Sequence, residues 1–231
     1  FSPVIRHFSY LGMQNEDSAQ RMIRLGVDPG RILITGNLKQ APSEGDGKQG
    51  GDFTGSPFFS RGAGQVLVVG STHRGEEKML LEVFLTLKSR FPELQMVLAP
   101  RHPRRFQEVE RLLQKMNLNY EKKSLKDDRE DWGSDVLFLD TLGDLPAMYA
   151  VADVAFVGGS LVDAGGHNLM EPARWRKPVL FGPHMTNFTD IAEEMKKRGG
   201  GIEVTEQGDL VRELSILLSD RDRAVKIGEI A

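Results

Sequence analysis

The stretch Gly165-Gly166-His167-Asn168-Leu169-Met170-Glu171-Pro172 decides how this chain folds. It follows an apolar run, Val154-Ala155-Phe156-Val157, and the turn Gly158-Gly159-Ser160. A short uninterrupted apolar run reads as a strand buried on both faces, and glycines directly after it read as the chain leaving a sheet and opening a helix. In α/β proteins such a turn offers bare backbone N–H groups to an anion. On a helix begun at His167, Asn168 and Glu171 are three apart and share one face. A carboxylate there accepts hydrogen bonds from vicinal hydroxyls, as on a ribose. The pattern therefore predicts a nucleotide or nucleotide-sugar site.

Outward from this stretch, strands and helices alternate. Strands are expected over 66–69, 96–99, 136–139, 154–157, 178–181 and 202–204. Helices are expected over 76–90, 104–116, 145–151, 167–175, 187–198 and 209–219. Apolar strands separated by helices imply a parallel sheet covered on both faces: an α/β, doubly wound, Rossmann-like domain whose ligands bind beyond the carboxyl ends of the strands. The run 121–131 is charged throughout and reads as a solvated surface loop. No short-period repeat is present.

Upstream, 7–14 reads as a strand, Asn15 as the cap of a helix running to Leu25 and closed by Gly26, and 32–35 as a second strand. This β-α-β unit ends at Gly36-Asn37-Leu38-Lys39. Residues 42–64 are rich in Gly, Pro, Ser and charge, a composition that cannot bury enough surface to order itself. Three parts are expected: a β-α-β piece over 1–41, a flexible linker over 42–64 and a nucleotide-binding domain over 65–231.

Composition narrows the class. The 231 residues are 39% hydrophobic and 27% charged, the balance of a soluble globular chain. The formal charge of −3 supplies no basic field for nucleic acid. There is no cysteine, which excludes disulfides and thiolate metal sites. No apolar run reaches the ~18 residues of a membrane span, and no signal peptide is visible. The chain begins at Phe1 in sequence that already reads as mid-domain, so a fragment of a longer protein is expected.

Polar clusters follow five successive strands at the edge where ligands bind. They are Gly70-Ser71-Thr72-His73, Pro100-Arg101-His102-Pro103, Asp140-Thr141-Leu142-Gly143-Asp144, the Gly158–Glu171 region, and Phe181-Gly182-Pro183-His184. Arg101 carries a planar fork suited to phosphate, weighed against an ordinary surface ion pair. Ser71 and Thr72 either face an anion or serve as a turn or helix cap. His73 and His102 read as braces of their loops. Asp144 reads as the cap of the helix at 145, with Leu142-Gly143 able to lie against a base ring. His167 is a candidate contact to phosphate or to backbone. Four histidines (73, 102, 167, 184) with Asp140 and Asp163 raise a metal hydrolase, but none has the i, i+4 spacing of helical metal ligands. Gly-x-Ser-x-Gly is absent, which disfavours a serine nucleophile.

Taken together, Gly36-Asn37-Leu38-Lys39, Gly70-Ser71-Thr72-His73, Pro100-Arg101-His102-Pro103 and Gly165-Gly166-His167-Asn168 with Glu171-Pro172 resemble, in order and spacing, the 3-deoxy-D-manno-octulosonic acid (Kdo) transferases of Gram-negative bacteria. The resemblance implies a GT-B glycosyltransferase of two Rossmann-like domains, with this chain as its C-terminal, donor-binding half. It implies transfer of Kdo from CMP-Kdo to a lipid A precursor in lipopolysaccharide biosynthesis, at the cytoplasmic face of the inner membrane, without metal or cofactor. By position it implies that Pro100 and Arg101, then Leu142, Gly143 and Asp144, then Asn168, Leu169, Met170 and Glu171 contact CMP-Kdo, with Glu171 on the ribose. Ser71, His102, Gly159 and His167 are additional candidate donor contacts. Lys39 matches a lysine assigned to transition-state stabilisation, where a cation offsets phosphate charge as CMP leaves.

The catalytic base, the membrane attachment and most of the acceptor groove would lie in a preceding N-terminal part, leaving this fragment soluble and inactive alone. The chain departs from the family pattern at Arg104, where an acidic residue is usual, at Leu169-Met170 in place of Pro-Leu, and at Gln40-Ala41 in place of Phe-Asp. Two other readings stand beside it: a GT-B-like UDP-sugar epimerase, and a nucleotide-binding module without catalysis.

Overall fold

The structure, a computed structural model, describes residues 5, 7–14, 16–35, 64–126 and 132–231. They belong to two compact units, Phe1–Gly51 and Asp52–Ala231. In the first, β1 (Leu11–Met13) and β2 (Ile32–Ile34) pair in parallel, joined by α1 (Glu16–Arg24). Glu16 and Asp17 open the helix and Arg21 and Arg24 close it, each sign matching the backbone dipole at its end. This is the β-α-β unit expected from the sequence, with shorter strands. Asn15, Lys39 and residues 42–63 of the expected linker lie outside the described residues.

The second unit is built on seven parallel strands. In chain order its elements are β3 (Val66–Thr72), α2 (Glu76–Lys88), β4 (Gln95–Pro100), α3 (Phe106–Lys115), β5 (Tyr120–Lys122), β6 (Val136–Phe138) and α4 (Leu145–Val151). There follow β7 (Val154–Val157), α5 (Met170–Ala173), β8 (Val179–Phe181), α6 (Thr189–Arg198), β9 (Gly201–Glu203), α7 (Gln207–Ser219) and α8 (Arg221–Ile230). The sheet order is β5-β6-β4-β3-β7-β8-β9. From β3 the chain moves outward on one side through β4, then returns to the other side at β7. The point of reversal, where doubly wound sheets leave a crevice, lies between β3 and β7.

The two-residue alternation of the strands shows why both faces are covered. Leu67, Val69, Met96, Leu98, Val136, Phe138, Val154 and Phe156 join one core with Leu80, Phe84 and Leu87 of α2 and Leu210, Leu214 and Leu217 of α7. Their neighbours Val66, Val68, Val97, Ala99, Leu137, Leu139 and Ala155 face the opposite way, onto Met148, Tyr149 and Ala152. Leu80, Phe84 and Leu87 recur at i, i+4, i+7, the spacing of one helix stripe. Full burial of each such side chain contributes roughly 1.5–3 kcal/mol.

Two elements depart from expectation. Tyr120–Lys122 is a strand, although its charged neighbours read as loop; Glu121 and Lys122 pair with Leu137 and Phe138 at the sheet edge. An edge strand tolerates charge because it keeps solvent on one side. Glu121 accepts the backbone N–H groups of Gly133 and Ser134, and Lys122 reaches Glu110 at 3.2 Å. The helix α8 has no counterpart in the sequence reading. It buries only Ala224 and Gly228, so its apolar periodicity is faint, and it is opened by Asp220 accepting from the Arg223 N–H.

Candidate functional site

At the carboxyl edge beside the reversal point, the loops after β3, β4 and β7 are stitched together by backbone. Ser71 adopts a left-handed conformation (φ 55°), shifting the β3–β4 register so that Thr72 pairs with Pro100. The Arg101 N–H then donates to the Thr72 carbonyl (3.0 Å), and the Gly158 N–H to that of Gly70 (2.8 Å).

The glycine turn after β7 is not an open anion cradle. The carboxylate of Glu76, 1% exposed, accepts from the N–H groups of Gly159 (2.7 Å), Ser160 (3.0 Å), Leu161 (2.9 Å) and His73 (2.8 Å). Burial pushes this carboxyl above its usual range, and the four N–H bonds pull against that shift. The expected role of the Gly159 N–H towards a ligand is corrected accordingly: the protein's own carboxylate holds it. Sequence reasoning took Glu76 only as a helix start. The bond from the His73 N–H to Glu76, three residues on, closes the turn into α2, whose N-cap is Gly75.

Above Gly159 two imidazoles meet. The Nε2 atoms of His73 and His167 are 2.9 Å apart, with ring centroids at 5.1 Å and planes inclined by 24°. His102 stands edge-on to His73 at 5.2 Å. A Cβ on Gly159 would lie 3.0 Å from the His167 ring and 3.2 Å from that of His73. Absence of a side chain is what lets the rings close. Burial, then His73, Arg101 and His102, hold the His167 imidazole down from 6.5 to about 4. His73 is lowered first by burial and then by His102 and Arg105. His73, expected to brace its loop, is thus half of a histidine pair.

The helix opened by this region is shorter than the 167–175 expected. Gly165 and Gly166 have φ of 85° and 72°, and the helix α5 begins only at Met170. Asn168 stays outside it and accepts the Met170 N–H through Oδ1 (3.1 Å), so Asn168 and Glu171 do not share a helix face as expected. Leu169 is fully buried in a third core with Val157, Phe181 and Met195, leaving only its backbone to face a ligand. Glu171 is half-buried. Burial raises its carboxyl, while Arg101 and Arg174 lower it. Glu171 also acts on the buried Tyr149 phenol, which burial has already driven far up. Arg101, exposed at the end of β4, therefore acts on both His167 and Glu171.

The third expected loop lies after β6. Leu142 is 72% exposed and Gly143 takes φ 94°. Asp144 does not cap α4 with its side chain, as had been expected; it accepts from the Thr141 hydroxyl instead. At the far end of α5, the Trp175 indole N–H donates to the Pro146 carbonyl (3.0 Å), tying α5 to α4.

Two cavities lie away from this edge. One of about 330 Å³, at the opposite edge of the sheet, is lined by Gln65, Asp153, Arg176, Lys177 and Arg221. The other, about 320 Å³, lies between α6 and the end of α8, and Met170 is among its walls with Ile191, Met195 and Ile230. Among the described residues no group of three or more His, Asp or Glu is arranged to hold a metal ion. No helix among them is long and apolar enough to cross a membrane.

No protein-family model matches the chain. A 3-deoxy-D-manno-octulosonic acid transferase of Haemophilus influenzae is 32% identical over 221 residues, 95% of this chain and 51% of that protein. The crystal structure of the C-terminal CMP-Kdo binding domain of WaaA from Acinetobacter baumannii is 30% identical, with a TM-score of 0.61, and the match covers 71% of this chain and 86% of that one. A putative UDP-N-acetylglucosamine 2-epimerase of Listeria monocytogenes superposes with a TM-score of 0.61 at 15% identity, over 95% of this chain and 53% of that one, a likeness of fold alone. The chain spans about half the length of curated transferases it matches. With these neighbours the parallel sheet is that of the C-terminal half of a GT-B glycosyltransferase.

Proposed function

The chain belongs to the 3-deoxy-D-manno-octulosonic acid transferase family, and from that premise we propose that it supplies the donor site of a glycosyltransferase that moves Kdo from CMP-Kdo to a lipid A precursor. Arg101 clamps the phosphate, with Pro100 fixing the turn before it. Glu171 takes the ribose hydroxyls. The backbone of Asn168, Leu169 and Met170 forms one wall, and the exposed loop of Leu142, Gly143 and Asp144 closes over the base. Ser71, His102 and His167 face the donor from the other side. Lys39 would offset charge on the departing phosphate. The first unit is the last β-α-β piece of an acceptor domain, and residues 42–64 link it to the donor domain. The catalytic base, the lipid acceptor's groove and attachment to the cytoplasmic face of the bacterial inner membrane belong to parts of the whole enzyme outside this chain, and the chain alone transfers no Kdo.

The observation that supports this most is the placement of a cation and a carboxylate beside the reversal point of the sheet: Arg101 follows β4, Glu171 lies in α5 after β7, and the charge of Arg101 lowers the Glu171 carboxyl that burial raises. A guanidinium for phosphate and a carboxylate for hydroxyls, one loop apart, are what a nucleotide needs. Calorimetric titration with CMP and with UDP tests the proposal. CMP binding that is lost in an Arg101→Ala, Glu171→Ala double variant is the expected result. A preference for UDP would sink the donor assignment and favour the epimerase reading.

A further inference from the structure

We propose that His73 and His167 act as one phosphate-recognition element, which takes up a proton when a phosphate monoester dianion binds and so distinguishes the released nucleotide from the intact diester donor. This rests on the reading of the edge as a nucleotide site. The argument begins with geometry. Two Nε2 atoms 2.9 Å apart can be joined only if one carries hydrogen and the other a lone pair. One hydrogen lies between the rings; burial and the neighbouring cations disfavour a second proton, so the pair is neutral, with the outer Nδ1 of the donating ring unprotonated.

The surroundings explain why it stays neutral without ligand. Arg101 and His102 approach from the end of β4, and Arg105 from the turn before α3. From α2 come two carboxylates, both already engaged: Glu76 on four backbone N–H groups, and Glu77 on Arg105 at 2.6 and 3.0 Å. On the α5 side are Glu171 and Arg174, and the loops flanking His167 carry Asp163 and His184. Glu77 alone among these carboxylates raises His73, and burial with His102, Arg105 and Arg101 outweighs it. A dianion seated against Arg101 reverses that field. A second proton then settles on the outer Nδ1, and the pair becomes a cation that keeps its internal hydrogen bond.

The chemistry of the proposed reaction gives the selectivity a purpose. The bond from the anomeric carbon to the phosphate oxygen breaks, and its electron pair stays on that oxygen. The anomeric carbon bonds to the acceptor oxygen, whose proton passes to the base outside this chain. The nucleotide thereby changes from a diester with one charge to a monoester with two. A site that gains positive charge only against the dianion stabilises the leaving group and not the donor, as catalysis requires.

The test is calorimetric titration of the chain with CMP near pH 7, in buffers of different ionisation enthalpy, where a monoester with second pKa about 6 is mostly dianionic. Between about half and one proton should enter per CMP bound, and affinity should rise up to about tenfold per pH unit on acidification from pH 8. The methyl ester of CMP, a monoanion, should bind with no proton uptake. His73→Gln and His167→Gln should each abolish the uptake and weaken CMP at pH 7 by about tenfold. CMP binding by the unaltered chain without proton uptake overturns this proposal and leaves the nucleotide site standing. Uptake that survives in both variants assigns the proton elsewhere and overturns it as well. Failure of CMP to bind at all overturns the nucleotide reading together with it.

Discussion

At the scale of single residues, Glu76 decides more than any ligand candidate does. Its carboxylate is the acceptor for four backbone N–H groups from two loops, all at the reversal point. Leaving such donors buried without acceptors costs roughly 1–3 kcal/mol apiece, so Glu76→Ala should destabilise the domain by more than about 3 kcal/mol in urea unfolding. His167 predicts a pH dependence. Its folded-state value, about 4, lies below the ordinary 6.5, so acidification protonates the unfolded chain first. Stability should therefore fall as pH drops from about 6.5 towards 4, and thermal melts of His167→Gln should be flatter across that window. Glu171 has the opposite sign. Its carboxyl is raised in the folded state, so its ionisation costs stability as pH rises through that range. Glu171→Gln should lose nucleotide binding yet gain on the order of 1 kcal/mol at pH 7, the trade usual at functional groups. Melts at pH 7 and near pH 4 should show that gain and its disappearance.

At the scale of elements, the close approach of the chain leaving β7 to the end of β3 leaves no space for a methyl group at Gly158. A Cβ there would stand 2.7 Å from the Ser71 carbonyl oxygen and from the Thr72 Cα, both backbone. Gly158→Ala should cost about 2–3 kcal/mol, measured by denaturant midpoint, because neither neighbour can move aside as a side chain would. The strands and long helices were legible because their apolar periods are strong: the VLVV run from Val66 and the Leu80-Phe84-Leu87 stripe admit one reading. Legible too were the ends of β4 and β7, after which Arg101 and the segment carrying His167 and Glu171 follow. What escaped was set by partners distant in sequence. Tyr120–Lys122 becomes a strand only because β6 offers it an edge. The helix after Gly166 is short because two left-handed glycines carry the chain past His167, and backbone conformation leaves no mark in an apolar pattern. The His73–His167 contact joins residues 94 positions apart, which no local spacing announces.

At the scale of the molecule, every candidate contact except Lys39 lies in the unit Asp52–Ala231. A chain cut back to residues 64–231 should bind CMP within about threefold of the longer one, a difference below ~1 kcal/mol, by the same calorimetry. A weaker result would mean that residues 1–63 contribute to the donor site. The bond from the Trp175 indole to the Pro146 carbonyl has a consequence of another kind. Only two tryptophans are present, Trp132 and Trp175, and the second sits four residues beyond Glu171, tethered to the helix that follows Leu142-Gly143-Asp144. A fluorophore therefore stands beside the two loops proposed to grip the nucleotide, and if the proposal holds, titration with CMP should change the chain's tryptophan emission without label or coupled enzyme.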